Sequence, residues 1–237
     1  MDTRFWGPSA WQLFHLVAEL SEHPHNVLAK MPTILPCKFC RESTAEFVRK
    51  HPLRGDPARW IYDIHNMVNH KLRTQCKGDP AVIDPGEDPE FSDVQKKYRN
   101  MRPSRVPGRD FLFSIAINFP DVPDDAQKSA QREFLDALAP EFPFHGFAKY
   151  LEKHPPELDT QKRYAKWMYG LLAHLSEKFG APMPSYGGYV QRAMYYKSGC
   201  AKKSYKGKTC RRTAAGGRTK RRDHRRTHRI AHSALLD

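Results

Sequence analysis

No run of apolar residues in this chain approaches the roughly 18 needed to cross a bilayer, so no membrane-spanning helix is expected. The first stretch, MDTRFWGPSAW, lacks a basic segment followed by an apolar one, so no secretory signal is expected and the cytosol is the expected compartment. Cysteine is scarce, with five among 237 residues. Stable disulfides are unusual in the cytosol, so the single C-x-x-C, Cys37-Lys38-Phe39-Cys40, is expected to bind metal or perform redox chemistry. Cys76, Cys200 and Cys210 form no second C-x-x-C. Large apolar residues nearly vanish after Tyr196, which excludes a core there and predicts a disordered tail over 197–237.

Charge is present but unevenly spread. Residues 197–237 hold 14 Lys/Arg against Asp223 and Asp237, while residues 1–196 hold 26 against 24 Asp/Glu, out of a net charge of +14. A nearly neutral body therefore carries a basic tail. Its KRRDHRRTHR run suits nuclear targeting, non-specific nucleic-acid contact or capture of acidic proteins. No aromatic residue lies beyond Tyr205 to stack on bases, so sequence-specific recognition is not expected.

The body reads as all-α. Pro8 suits a first-turn position, and Trp11, Phe14, His15 and Ala18 share one face of a helix expected over 8–22. A second helix is expected from Cys37 to about Lys50, stopping before Pro52, and a third from about Pro57 to Leu72 with Trp60, Ile61, Ile64, Val68 and Leu72 on one stripe. Residues 77–109 read as a long loop with a short helix near Phe91 to Arg99. A second helical block runs from Phe111 to about Phe179. The expected organisation is a first domain over 1–100, a second helical domain over 101–196 and the tail.

The second block reads as a degenerate copy of the first, with chance similarity between amphipathic helices as the alternative. LFHLVAEL (Leu13 to Leu20) aligns with LFSIAINF (Leu112 to Phe119), and AEFVRKHPL (Ala45 to Leu53) with AKYLEKHPP (Ala148 to Pro156). WIYDI (Trp60 to Ile64) aligns with WMYGL (Trp167 to Leu171), and Lys71 with Lys178. Pro140 and Pro143 stand at the places of Cys37 and Cys40, and Leu172 and Ala173 at those of His65 and Asn66. On that reading the copy keeps the bundle and has lost the chemistry.

Pro36 and the helical pattern after it place Cys37 at a helix N-terminus with Cys40 one turn in. Unpaired N–H groups and the helix dipole favour a thiolate there, which thiol–disulfide exchange requires. Half a zinc site, completed by Cys76 or a histidine, is an equal reading of the C-x-x-C alone. On the third helix His65, Asn66 and Asn69 lie along the edge of the apolar stripe. Burying them costs free energy unless each finds a partner. With Lys71 nearby, they suit a bound ligand with an aromatic part and phosphates. Trp11 and His15 offer a stacking wall.

The ordered motifs WGPSAWxLFH, LPCxxC and WxxxxHNxVNxKL, over residues 6–72, resemble the Erv/ALR family of FAD-linked sulfhydryl oxidases. The resemblance implies a four- or five-helix bundle that holds FAD and oxidises protein dithiols with O2 as acceptor, yielding hydrogen peroxide; the family usually dimerises. It implies that Cys37 and Cys40 form the redox disulfide, Cys40 beside the flavin and Cys37 exchanging with substrate thiols. It implies FAD contacts from Gly7, Trp11, His15, Cys40, His65, Asn66, Val68, Asn69 and Lys71. Cys200 and Cys210 are the candidates for a shuttle disulfide. Leu35 stands where the family commonly has Tyr, and Tyr62 where a cysteine partner for Cys76 would be, so Cys76 is expected to be idle. The two-block layout resembles sulfhydryl oxidases of large DNA viruses that replicate in host cytoplasm, which implies a viral factory or virion as the setting. The competing reading is a zinc-stabilised nucleic-acid-binding protein with Cys37, Cys40 and Cys76 as ligands and the tail as anchor.

Overall fold

The computed structural model of the chain describes residues 1–80 and 82–199. The chain is all-α, with no strand among the described residues. A first group comprises α1 (Thr3–Leu20), α2 (Pro24–Leu28), α3 (Met31–Ile34), α4 (Lys38–Lys50), α5 (Pro57–Cys76) and α6 (Phe91–Asn100). A second comprises α7 (Arg109–Ile117), α8 (Asp125–Glu141), α9 (Phe147–Lys153), α10 (Gln161–Ser176) and α11 (Tyr186–Tyr195).

Three expectations need correction. The first helix begins at Thr3, not at Pro8, because the Asp2 carboxylate caps it by accepting the Arg4 N–H at 3.0 Å. Burial of Phe5 and Trp6 anchors that added turn. Pro8 therefore lies inside α1, which ends at Leu20 with Ser21 extended. The third helix continues a turn past its apolar stripe to Cys76. The short helices α2 and α3 and the final α11 were not foreseen. The first two begin with prolines at N1 or N2 and are too brief to show periodicity.

Within each group the first helix packs on the long next-to-last helix, α1 on α5 and α7 on α10. Between groups like meets like: α1 packs on α7, and α2 and α3 pack on α8. Gly108, the N-cap of α7, marks the crossing. Its φ is 74°, and a Cβ there would lie 2.6 Å from Leu13 Cδ2, so only glycine fits without displacing α1. Ser9 Oγ of α1 accepts the Asp110 N–H at 3.1 Å, satisfying a donor at the start of α7. One apolar core runs through both groups, from Leu13, Phe14 and Ile64 to Phe111, Tyr164 and Leu172.

The two groups repeat specific contacts. Trp60 Nε1 donates to the His51 carbonyl at 2.9 Å, and Trp167 Nε1 to the His154 carbonyl at 2.9 Å. The N–H of each of those histidines closes the preceding helix at 2.8 Å, onto Phe47 and Tyr150. Tyr62 Oη donates to the Pro89 carbonyl and Tyr169 Oη to the Pro184 carbonyl, both at 2.7 Å. Their rings meet Phe91 and Tyr186 edge-on at 5.3 and 5.2 Å. This last pairing sets α11 against α6, a correspondence outside the aligned stretches of sequence.

Candidate functional site

Cys37 is the N-cap of α4, with extended backbone at φ −103° and ψ 123°, and its Sγ accepts the Cys40 N–H at 3.3 Å. The Cys37 thiol is lowered to about 7, chiefly because it accepts a hydrogen bond from the Cys40 side chain, with burial opposing. Cys40 is raised well above an ordinary thiol by the same shared hydrogen bond and by burial. The first negative charge taken by the pair is thus favoured on Cys37. Lys71, reaching from α5, favours charge on Cys40 and donates to Ser43 Oγ, one turn after Cys40. Cys37 is the more buried cysteine, at 3% exposure, and Cys40 is half-buried.

A second cluster lies between α1, α5 and α6. The Trp11 ring stacks on His65 with centroids 3.9 Å apart, and His15 stacks on Tyr98 at 4.5 Å. His15 Nε2 lies 3.1 Å from His65 Nδ1, so between those two nitrogens one carries the proton and the other accepts it. Burial holds His15 well below the usual imidazole value, with His65 and Lys97 adding repulsion. Burial also lowers His65, to about 3, against the opposing pull of Asp88. Two neutral imidazoles therefore sit in an aromatic wall at neutral pH. Asn69, nearly fully buried, donates to Asp88 Oδ1 at 2.9 Å. Arg73 grips the same carboxylate at 3.0 and 2.7 Å. A narrow cleft is lined by His65, Asn66 and Asn69 of α5 and by Lys97 and Tyr98 of α6.

The fold thus gathers His15, His65, Asn66 and Asn69 at one cleft, with Trp11 off its lining but stacked on His65, and brings Lys71 of α5 to act on Cys40 of α4. Gly7 and Val68 do not line that cleft. A Cβ at Gly7 would meet only Thr3 Cβ at 3.8 Å, so internal packing does not demand glycine there. Cys200, Cys210 and the basic tail lie outside the described residues. Cys76 stands apart, its Sγ directed to the Arg73 carbonyl at 3.1 Å, and no group of three His, Cys, Asp or Glu able to hold a metal forms among the described residues. The ligand set Cys37, Cys40 and Cys76 is not brought together.

Sequence reasoning missed Tyr98, Lys97 and Asp88. Tyr98 is the one buried residue of the polar helix α6, a signal that could have been read as a wall residue. Asp88 has no local signal, since it is one of several acids in a Pro/Gly/Asp loop. Tyr62, noted as standing in the place of a cysteine, instead ties α5 to Pro89.

Residues 8–84 match the model of the Erv1/Alr family. The chain is also 26% identical, over 106 residues, to the mitochondrial FAD-linked sulfhydryl oxidase ERV1 of Saccharomyces cerevisiae. That alignment covers 41% of this chain and 56% of the relative, so the chain spans little more than half of the relative's length. No solved structure matches the chain.

Proposed function

We propose that the chain is an FAD-dependent sulfhydryl oxidase whose reactive pair is Cys37–Cys40. The observation that carries the reading is the cap geometry of Cys37, a thiol held at a helix N-terminus with its charge favoured, together with α5, which brings Lys71 to act on Cys40 and lines an aromatic and amide cleft. The residues present fit a flavin dinucleotide. Trp11, His15, His65 and Tyr98 supply flat faces, Asn66 and Asn69 supply amide donors and acceptors, and Lys71 supplies positive charge. Held by these residues, a flavin would supply a two-electron acceptor for the dithiol, with O2 as the final oxidant and hydrogen peroxide as its product.

The chain's own part is thiol exchange. A substrate thiolate attacks Cys37 Sγ of the Cys37–Cys40 disulfide, forming a mixed disulfide and releasing Cys40 as thiolate. The second substrate thiol, as thiolate, then attacks the substrate sulfur of that mixed disulfide. The substrate leaves as a disulfide, and the enzyme pair, now carrying two more electrons, becomes a dithiol, its first negative charge favoured on Cys37. Cys40 is the more exposed residue, and the lowered Cys37 thiol would itself be the better leaving group. This order therefore rests on the family resemblance and on Lys71 beside Cys40, not on access or on the charge favoured at Cys37. Lys71 offsets charge on Cys40 as it leaves.

We read the second group of helices as a degenerate copy of the first, supported by the repeated Trp–His and Tyr–Pro contacts. Homodimerisation belongs to the proposal only through another face, because α1, α2 and α3 already pack on α7 and α8. A host-cytoplasmic, viral setting is likewise part of the proposal. The test is an absorption spectrum before and after anaerobic dithiothreitol, then after air. A flavin band that bleaches and returns, and that fails to bleach normally in Cys40→Ser, supports the relay. A colourless protein that releases zinc overturns it.

A further inference from the structure

We infer that Asn118, at the end of α7 in the second group, is a positioning residue for the Cys37–Cys40 pair. Its Nδ2 donates to the Pro36 carbonyl at 2.6 Å. That carbonyl belongs to the peptide leading directly into Cys37. Fixing the peptide plane fixes the axis about which Cys37 turns, and so where its Sγ stands relative to the Cys40 N–H it accepts. The preceding carbonyl, of Leu35, is held at 2.6 Å by Arg41 of α4 itself. Two successive carbonyls before the thiol are therefore pinned by side chains, and the nearer one is pinned from the other group.

Two observations show that this contact is more than surface filling. Asn118 Oδ1 is buried without a hydrogen-bond partner. An apolar side chain of like size would fill the same space without leaving an acceptor orphaned, so packing alone does not account for an amide here. The contact also has a mirror. Ser21, the C-cap of α1, donates its hydroxyl to the Glu141 carbonyl at 2.6 Å, and Glu141 lies between Pro140 and Pro143, which stand where the cysteines stand in the first group. Asn118 is the C-cap of α7. Each group's first helix thus ends by holding the other group's C-x-x-C place, and only one of those places still has sulfur.

The inference rests on reading the pair as a reactive dithiol, but its readout needs no flavin. The full-length reduced chain is alkylated with iodoacetamide over a pH series and digested with trypsin. Cleavage after Lys30, Lys38 and Arg41 places Cys37 and Cys40 in separate peptides, so each is read alone. Asn118→Leu is expected to raise the Cys37 midpoint by about one pH unit, roughly a tenfold loss of thiolate near neutrality. Asn118→Ser, which keeps a donor of shorter reach, recovers part of it. Gln161→Leu breaks a neighbouring hydrogen bond to the Ile117 carbonyl and is expected to leave the midpoint in place. If Asn118→Leu fails to fold, Asn118→Ala carries the same comparison. A folded Asn118 variant with the parent midpoint overturns the inference alone. A parent midpoint at the ordinary thiol value overturns the reactive-dithiol reading with it.

Discussion

At the register place of the His65 wall, the second group is packed shut where the first is polar. Tyr189 of α11, fully buried, corresponds to Val94 of α6, which lines the cleft of the first group. Its hydroxyl donates to Asp110 Oδ1 at 2.5 Å and its ring stacks on Phe113 at 4.3 Å. Asp110 stands where Trp11 stands, Ser114 where His15 stands, and Leu172 and Ala173 where His65 and Asn66 stand. The shared contacts are those that hold helices together, and the differing ones are those a ligand would meet. Bundle and cleft can therefore change separately.

That comparison can be broken from either side. Giving the first group the second's residues, with His65→Leu and Asn66→Ala together, is expected to reduce flavin content of the purified protein about tenfold or more, since each lost polar contact is worth about 1–3 kcal/mol. Far-ultraviolet circular dichroism should stay unchanged, and retention of flavin at the parent level would show that this wall is not the cofactor's. Opening the second group with Tyr189→Ala is expected to lower the unfolding free energy by about 3–5 kcal/mol in urea titration. A loss below about 1 kcal/mol would mean that the side chain does not close the core.

The two histidines sharpen the difference by pH. Both are held neutral below their unfolded value of about 6.5, so the unfolded chain binds more protons as pH falls past that value. Stability is therefore full above about 6.5 and declines toward the folded value near 3 for His65, by up to about 1.4 kcal/mol per pH unit for each histidine. Melting temperatures measured from pH 7 downward should show this slope, and His65→Leu should reduce it. The smallest effect is a matched one. Trp60→Phe and Trp167→Phe each remove one hydrogen bond to a histidine carbonyl, about 1 kcal/mol apiece, and their effects should be equal within error. Unequal losses would show that the repeated geometry is not repeated energetically.

Much of this was legible in sequence because it is local. The cap at Cys37 follows from Pro36 and the helical pattern behind it, and α5 follows from its apolar stripe. The chemical wall was legible because His65, Asn66 and Asn69 are neighbours on one helix. Tyr98, Asp88 and Asn118 were not, because each reaches the site from a segment more than 18 positions away and has no periodic signal of its own. Helix α1 began earlier than expected because a cap and two buried aromatics outweighed the usual place of a proline.

The packing of α1 on α7 within a single chain has a consequence for inheritance. In a symmetric pair of identical subunits every substitution at the contact appears twice, so a change that helps one side is imposed on the other. Here the two sides are encoded separately, and Ser9 of α1 can be fitted to Asp110 without the same change appearing on α7. Each molecule then carries one C-x-x-C per contact between α1 and α7, a ratio that neither dilution nor expression level can alter.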